Sequence, residues 1–223
     1  MKAMILAAGR GERMRPLTDS LPKPLLEVHG KPLIVWHLEK LASCGFKEIV
    51  INIAHLGYKI PETIGDGSKY GVNIRYSDEQ DEGALESAGG IVKALPLLGD
   101  EPFLVVNGDV FCDYDFDCEF KLEGKLAHLI LVPNPKHNLS GDFALKDNLV
   151  LNDADIKYTF SGIGYYSPKL FCELEYGKSA LAPLLRKAIT NKKITGEVYK
   201  NMWHDIGTPQ RLKNINLENI NND

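Results

Sequence analysis

Two glycines, two arginines and a lysine set between prolines carry the first chemistry that can be read in the chain. Gly9 and Gly11 follow the apolar run Ala3 to Ala7, Arg13 and Arg15 come directly after, and Lys23 stands between Pro22 and Pro24. A Gly-x-Gly turn lets the backbone approach a ligand closely, and such a loop presents several N–H donors to a phosphate chain. The planar fork of arginine matches phosphate oxygens, and the flanking prolines restrict the backbone at Lys23. Together these residues predict a polyphosphate grip. It is not a Rossmann fingerprint, because Met14 stands where the third glycine would fall, and no Gly-Lys-Ser/Thr is present. A Gly-x-Gly turn alone would serve equally well as a sharp connection between a strand and a helix.

A second feature is Asp109, which follows the apolar segment Phe103 to Val106 through Asn107-Gly108. Open parallel sheets bind ligands beyond the carboxyl ends of their strands, and a carboxylate there can hold a hard cation. The same aspartate would also suit a turn or a helix cap, and Asp113, Asp115 and Asp117 make the following loop acidic throughout.

The scaffold these groups need is a strand–helix–strand rhythm. Lys2 to Ala7 reads as a strand and Ala8 to Leu21 as the phosphate loop. A helix runs from Pro32 to about Ser43, with Leu33, Trp36, His37 and Leu41 at helical spacing and Gly45 just past its end. Glu48 to Ile53 reads as a buried parallel strand, Gly57 to Ile64 as a helix and Val72 to Ser77 as a strand. A loop from Glu79 enters a helix from Gly90 to Leu97, and Phe103 to Val106 is the central strand. From Ala127 the rhythm changes. Strands are expected at Ala127 to Val132, Asp142 to Leu145, Leu149 to Leu151 and Tyr158 to Tyr166, helices at Pro168 to Glu173 and Leu181 to Ile189. A strand pair between Thr195 and Asp205 and a helix from Pro209 follow, and the tail from Asn214 to Asp223 is expected to fray. The pattern predicts an α/β fold: a Rossmann-like, doubly wound, mixed but mainly parallel sheet.

The chain of 223 residues fits one large domain. A net charge of −4 argues against bulk nucleic-acid binding, so the basic groups of the first loop act locally. No apolar run is long enough for a membrane span and no leader pattern is present, which predicts a cytoplasmic protein. Cys44, Cys112, Cys118 and Cys172 form no Cys-x-x-Cys pair and are expected to be reduced and mostly buried. The histidines His29, His37, His55, His128 and His137 show no metal spacing, and His204 is expected to be exposed or hydrogen-bonded.

Leu6-Ala7-Ala8-Gly9-x-Gly11-x-Arg13 with Pro22-Lys23-Pro24 resembles the N-terminal signature of the sugar-1-phosphate nucleotidyltransferases. The resemblance runs from Met1 to about Leu212 and implies a nucleotide-binding part over about 1–110 and a sugar-binding part over about 111–212. It implies that Arg13 and Lys23 are catalytic: Arg13 would stabilise the departing pyrophosphate, and Lys23 would neutralise the α-phosphate and the incoming phosphate. It implies a nucleotide site from Ala7, Ala8, Gly9, Gly11, Arg13, Lys23, Glu79, Glu86, Gly89 and Asn107, with Glu79 or Gln80 near a pyrimidine edge. Asn107-Gly108-Asp109 and Trp203-x-Asp205-x-Gly207-Thr208 match the family's metal-binding segments, making Asp109 and Asp205 the implied Mg²⁺ ligands. Asn107, Gly108, Asp142, Ser161 and Gly162 would line the sugar side, Gly162 allowing close approach of a pyranose.

The wider match is to the short, muramate-directed members of the family. Glu86-Ser87 stands where many relatives carry Gly-Thr, unless Ser87 merely caps a helix. Asn152 to Asp155 replaces a Glu-Lys-Pro segment and is expected to leave room for a lactyl ether. This implies N-acetylmuramic acid 1-phosphate as acceptor and UTP as donor, in peptidoglycan recycling, by a monomer with no nucleic-acid or membrane partner. Lys157, Arg186 and Lys136 are the cations available to a lactyl carboxylate. Thymidylyl or guanylyl transfer to glucose or mannose 1-phosphate is the nearest alternative, and a non-catalytic nucleotide-sugar binding regulator is another.

Overall fold

Apolar side chains alternate along the first strands and so sort onto two buried faces. The computed structural model describes residues 1–218. In order, the chain forms β1 (Lys2–Leu6), β2 (Glu27–Val28), β3 (Lys31–Pro32), α1 (Leu33–Ser43), β4 (Glu48–Ile53), α2 (Lys59–Ile64), β5 (Asn73–Asp78), α3 (Glu86–Leu98) and β6 (Phe103–Asn107). It continues through β7 (Val110–Cys112), β8 (Ala127–Val132), β9 (Ala144–Lys146), β10 (Leu149–Leu151), β11 (Thr159–Tyr166), α4 (Leu181–Thr190), β12 (Ile194–Val198), β13 (Trp203–Asp205) and α5 (Pro209–Leu217). Ala3 and Ile5 of β1, Ile49 and Ile51 of β4 and Val106 of β6 pack with Ile34, Leu38 and Leu41 of α1. Met4, Val50 and Val105 face the other way, against Ala88, Ile91 and Ala94 of α3 and Leu185 of α4. Helices on both faces of a twisted sheet make the fold doubly wound.

The main sheet has nine strands in the order β5-β4-β1-β6-β11-β8-β12-β10-β9. The first four are parallel, β11 is antiparallel to β6 and β8, and β12 runs parallel to β8. The fold is thus α/β with a mixed sheet, its four adjacent parallel strands come from the first half of the chain, and the sheet continues without a break into the second.

A third, smaller core positions the site. Met14 of the phosphate loop packs with Leu26, Val28, Leu33, Phe111, Ile206 and Ile215. This ties the loop to β7, to the segment after β13 and to α5. Four local readings need correction. β12 and β13 do not pair with each other: β12 joins β8, while β13 runs antiparallel to β7, a strand too short to show in the apolar pattern. α3 starts at Glu86 and carries Gly89 and Gly90 inside it, because tertiary packing there overrides the low helix propensity of glycine. Pro168–Phe171 is a 3₁₀ turn rather than an α-helix. α5 continues to Leu217, so the start of the supposedly frayed tail is helical, and the rest of that tail, 219–223, lies outside the described residues. The four cysteines are free thiols as expected, but they are not mostly buried: Cys44, Cys112 and Cys118 are half-buried and Cys172 is exposed.

Candidate active site

The chain leaves β1 into a cleft of about 470 Å³ at the carboxyl ends of β1, β4 and β6. Gly11 is the residue that turns the loop. Its φ is +64°, and a Cβ there would stand 2.9 Å from Thr18 Cγ2. The buried Thr18 hydroxyl donates to the Gly11 carbonyl at 2.8 Å, and the Met14 N–H donates to the same oxygen at 2.8 Å. Gly9 faces open space instead. Arg13, whose neighbour Met14 is buried, is held exposed on the cleft wall.

Lys23 opens the 3₁₀ turn Lys23–Leu25 behind an extended Pro22. Its Nζ lies 2.6 Å from Asp109 Oδ2. Asp109 immediately precedes β7, where Val110 pairs with Asp205 of β13, and the Ile206 N–H donates to the Asp109 carbonyl at 2.8 Å. One short ladder therefore sets the two carboxylates on adjacent strands. Asp205 Oδ2 accepts from Arg211 Nη1 at 2.8 Å and lies 3.3 Å from His137 Nε2, whereas Oδ1 is buried with no hydrogen-bond partner. A Cβ at Gly207 would come within 2.7 Å of that Oδ1 and 3.4 Å of Arg13 Nη2, so the glycine keeps this space clear.

A bare, buried carboxylate oxygen beside the cleft-lining loop is what a hard cation would satisfy. Among the described residues no group of three or more His, Cys, Asp or Glu surrounds a common point. That donor set suits a cation held by one or two carboxylates and completed by water and substrate phosphates, as Mg²⁺ usually is. His37 lies buried behind this ladder. Burial lowers its pKa from 6.5 to about 4, outweighing the Asp109 charge and a hydrogen bond to the Val110 backbone, so at neutral pH it is uncharged.

On the other side of the cleft, Glu79 is fully buried. Its Oε1 accepts from Asn52 Nδ2 at 2.7 Å and its Oε2 from the Leu85 N–H at 2.9 Å, while Asn52 Oδ1 accepts from the Ala7 N–H at 2.8 Å. Burial raises the pKa of this carboxyl. Glu79, expected near a base edge, lines the cleft, and each of its oxygens accepts a hydrogen bond that ties the loop after β1 to the start of α3. Gln80 is folded back onto Asp78. Glu86 and Ser87 do line the cleft, and Glu86 adopts φ +62° with Oε1 3.5 Å from Lys178 Nζ. Ser87 does not cap α3, whose N-cap is Leu85. Gly89 is a packing glycine and not part of the cleft wall: a Cβ there would collide with the Gly177 carbonyl at 2.2 Å.

A hollow of about 270 Å³ adjoins the cleft and shares Arg13, Asn107 and Asp109 with it. Gly162 forms a β-bulge with φ +82°, and a Cβ there would lie 2.6 Å from Asn107 Nδ2. Gly162 lines the hollow, and Asn107 occupies the place a side chain there would take. Gly108 packs on β1, its N–H donating to the Leu6 carbonyl at 2.9 Å. The buried Ser161 reaches the hollow without a free hydroxyl: its Oγ donates to the Ile130 carbonyl at 2.7 Å and accepts from the Ile163 N–H at 3.1 Å. Asp142 is off the wall, its oxygens accepting from Asn138 Nδ2 at 3.2 Å and the Phe160 N–H at 2.8 Å. Asn152 faces α4, donating to the Arg186 carbonyl at 3.0 Å, so the segment it opens makes no room in the hollow.

Asn52 and Arg211 belong to the site and escaped the sequence reading, while Trp203 was noticed only as part of a motif and His137 only for its lack of metal spacing. Asn52 had a visible signal, as a polar residue inside the apolar run Ile49 to Ile53. Trp203 lines the hollow and donates from Nε1 to the Ser161 carbonyl at 3.0 Å.

The fold and the paired carboxylates beside a glycine–arginine–lysine grip define an enzyme that handles a nucleotide and a second phosphate. The chain belongs to the nucleotidyl transferase family, whose sequence profile matches residues 2–140. It is 54% identical to the N-acetylmuramate alpha-1-phosphate uridylyltransferase of Neisseria meningitidis serogroup B, over 96% of each chain. It is 41% identical to a mannose-1-phosphate guanyltransferase of Hypocrea jecorina, over 94% of this chain and 62% of that one. Among solved structures, a Bacillus anthracis protein described as a glucose-1-phosphate thymidylyltransferase superposes with a TM-score of 0.85 at 24% identity, covering 97% of this chain and 94% of that one.

Proposed function

We propose that the protein transfers a uridylyl group from UTP to N-acetylmuramic acid 1-phosphate, giving UDP-N-acetylmuramic acid and pyrophosphate. The observation that carries the transfer is the meeting of Arg13, Lys23, Asp109 and Asp205 where the nucleotide cleft joins the second hollow. The choice of sugar and base is supported by the Neisseria relative, which matches along nearly its whole length.

The acceptor's phosphate oxygen attacks the α-phosphorus of UTP, and the bond to the β-phosphate oxygen breaks on the opposite side. A phosphate is already anionic, so no general base is needed. The protein contributes position and charge. The loop at Gly9 and Gly11 holds the triphosphate, Arg13 stabilises the leaving pyrophosphate, and Lys23 stabilises charge on the α-phosphate and the incoming phosphate. Asp109 and Asp205 would hold Mg²⁺, which supplies neutralisation of the clustered phosphate charge. Glu86 and Ser87 face the base, and Asn107 stands between nucleotide and sugar. The reaction belongs to peptidoglycan recycling. Its nucleotide substrate and the four free thiols fit a cytoplasmic setting, and among the described residues no helix is long and apolar enough to cross a membrane.

The test is pyrophosphate release from each of UTP, dTTP, GTP and ATP against the 1-phosphates of N-acetylmuramic acid, N-acetylglucosamine, glucose and mannose. The highest kcat/KM is expected for UTP with N-acetylmuramic acid 1-phosphate. A preference for GTP with mannose 1-phosphate, or dTTP with glucose 1-phosphate, would replace the assignment, and no release with any pair would leave a binding protein.

A further inference from the structure

The hollow does not stop at Trp203 and Asp205. These residues and His137 also face a second cavity, of about 380 Å³, closed on its far side by α5. Three further cationic or cation-capable side chains face it: Lys136, His204 and Arg211. Arg211 is committed to Asp205 at 2.8 Å, and His204 lies 3.5 Å from Glu218. Lys136 has no carboxylate partner among the described residues, whereas seven other lysines lie within 3.5 Å of one. The other two cations open to a lactyl carboxylate are placed elsewhere. Lys157 Nζ is 3.3 Å from Asp153, and Arg186 lies over the Phe143 ring at 5.0 Å and donates to the Asp142 carbonyl. Neither lines the hollow or this cavity.

We propose that the second cavity receives the carboxylate of the acceptor's lactyl ether and that Lys136 binds it. This makes Lys136 the residue that separates muramyl from glucosaminyl acceptors, and it rests on the acceptor assigned under the proposed function. N-acetylglucosamine 1-phosphate has no such carboxylate. With it the lysine stays hydrated, so discrimination comes from attraction to one sugar rather than from a penalty on the other. Lys136 is exposed, and its loss leaves no buried group unpaired.

The experiment compares kcat/KM for the two acceptors at saturating UTP in the wild type, Lys136→Met and Lys136→Arg. The wild type should favour N-acetylmuramic acid 1-phosphate. Lys136→Met should lose about tenfold toward that sugar, the scale of one charge-assisted hydrogen bond, with the change in KM rather than kcat. Its kcat/KM for N-acetylglucosamine 1-phosphate should move less than about twofold on the same reasoning, and Lys136→Arg should keep the preference. Equal losses toward both sugars, or a preference that survives Lys136→Met, would overturn the role of Lys136 while leaving the acceptor in place. A wild type that does not prefer the muramyl sugar would overturn the acceptor and the lactyl site together.

Discussion

Replacing Gly162 with alanine loads two separable costs onto one position. The backbone there has φ +82°, and a left-handed conformation costs an L-residue about 1–2 kcal/mol. The added Cβ would also stand 2.6 Å from Asn107 Nδ2, 2.8 Å from Cγ and 2.9 Å from Cβ. The closest atoms include the root of the side chain, so a rotamer change alone does not clear the overlap, and overpacking of this kind costs about 1–3 kcal/mol. The sum is about 2–5 kcal/mol, equivalent to a melting point about 4–20 °C lower in a chain of this size. Turnover should fall as well, because Asn107 lies on the wall of both the cleft and the hollow. The assay is a double-mutant cycle of Gly162→Ala and Asn107→Ala by urea titration. Removing the amide relieves most of the overlap, so the second substitution should cost less in the presence of the first, with a coupling of about 1–2 kcal/mol. Costs that add within about 0.5 kcal/mol would refute the claim that Gly162 exists to seat Asn107. They would return the glycine to φ alone or to contact with a sugar.

Two further outcomes follow from the site's electrostatics. Burial holds His37 near pKa 4 against an ordinary 6.5, so its contribution is complete above pH 6.5 and is lost as the pH falls from 6.5 through 4, by about 3 kcal/mol in full. Denaturant titrations of wild type and His37→Leu across that range should show a shallower acid limb in the variant, and identical slopes would exclude His37 as a source. Asp109→Asn and Asp205→Asn should each raise the Mg²⁺ concentration for half-maximal turnover, since an amide keeps the shape and loses the charge. Metal titration checks this, and an unchanged Mg²⁺ dependence in either variant would make that residue structural.

The parallel half of the sheet and the loop that lines the cleft were legible because each is written in contiguous residues. Alternating apolar residues make buried strands, and Gly9 to Lys23 places the phosphate-binding types in one short segment. What the sequence does not show is which polar atoms are already spent. Glu79 and Ser161 line the site and Asp142 lies off its wall, and the oxygens of all three serve the backbone and neighbouring amides. Glycines are ambiguous for the same reason. Gly89 and Gly162 are small to admit a carbonyl and Asn107, which no pattern within their own strand or helix can reveal. The clamp of Arg211 on Asp205 was hidden because it depends on where β13 lands, and that is fixed by β7, far away in the chain.

Whether this cleft transfers a nucleotidyl group is tested most directly at Lys23, whose ammonium faces Asp109 at 2.6 Å and whose side chain is largely buried. The measurement is kcat for pyrophosphate release by Lys23→Ala, with UTP and N-acetylmuramic acid 1-phosphate saturating and thermal melting followed in parallel. Loss of one preorganised charge acting on the transition state predicts a fall of about a hundredfold or more, with a melting point close to that of the wild type. A kcat within about twofold of the wild type would remove Lys23 from the chemistry and contradict the placement of phosphate transfer at this site.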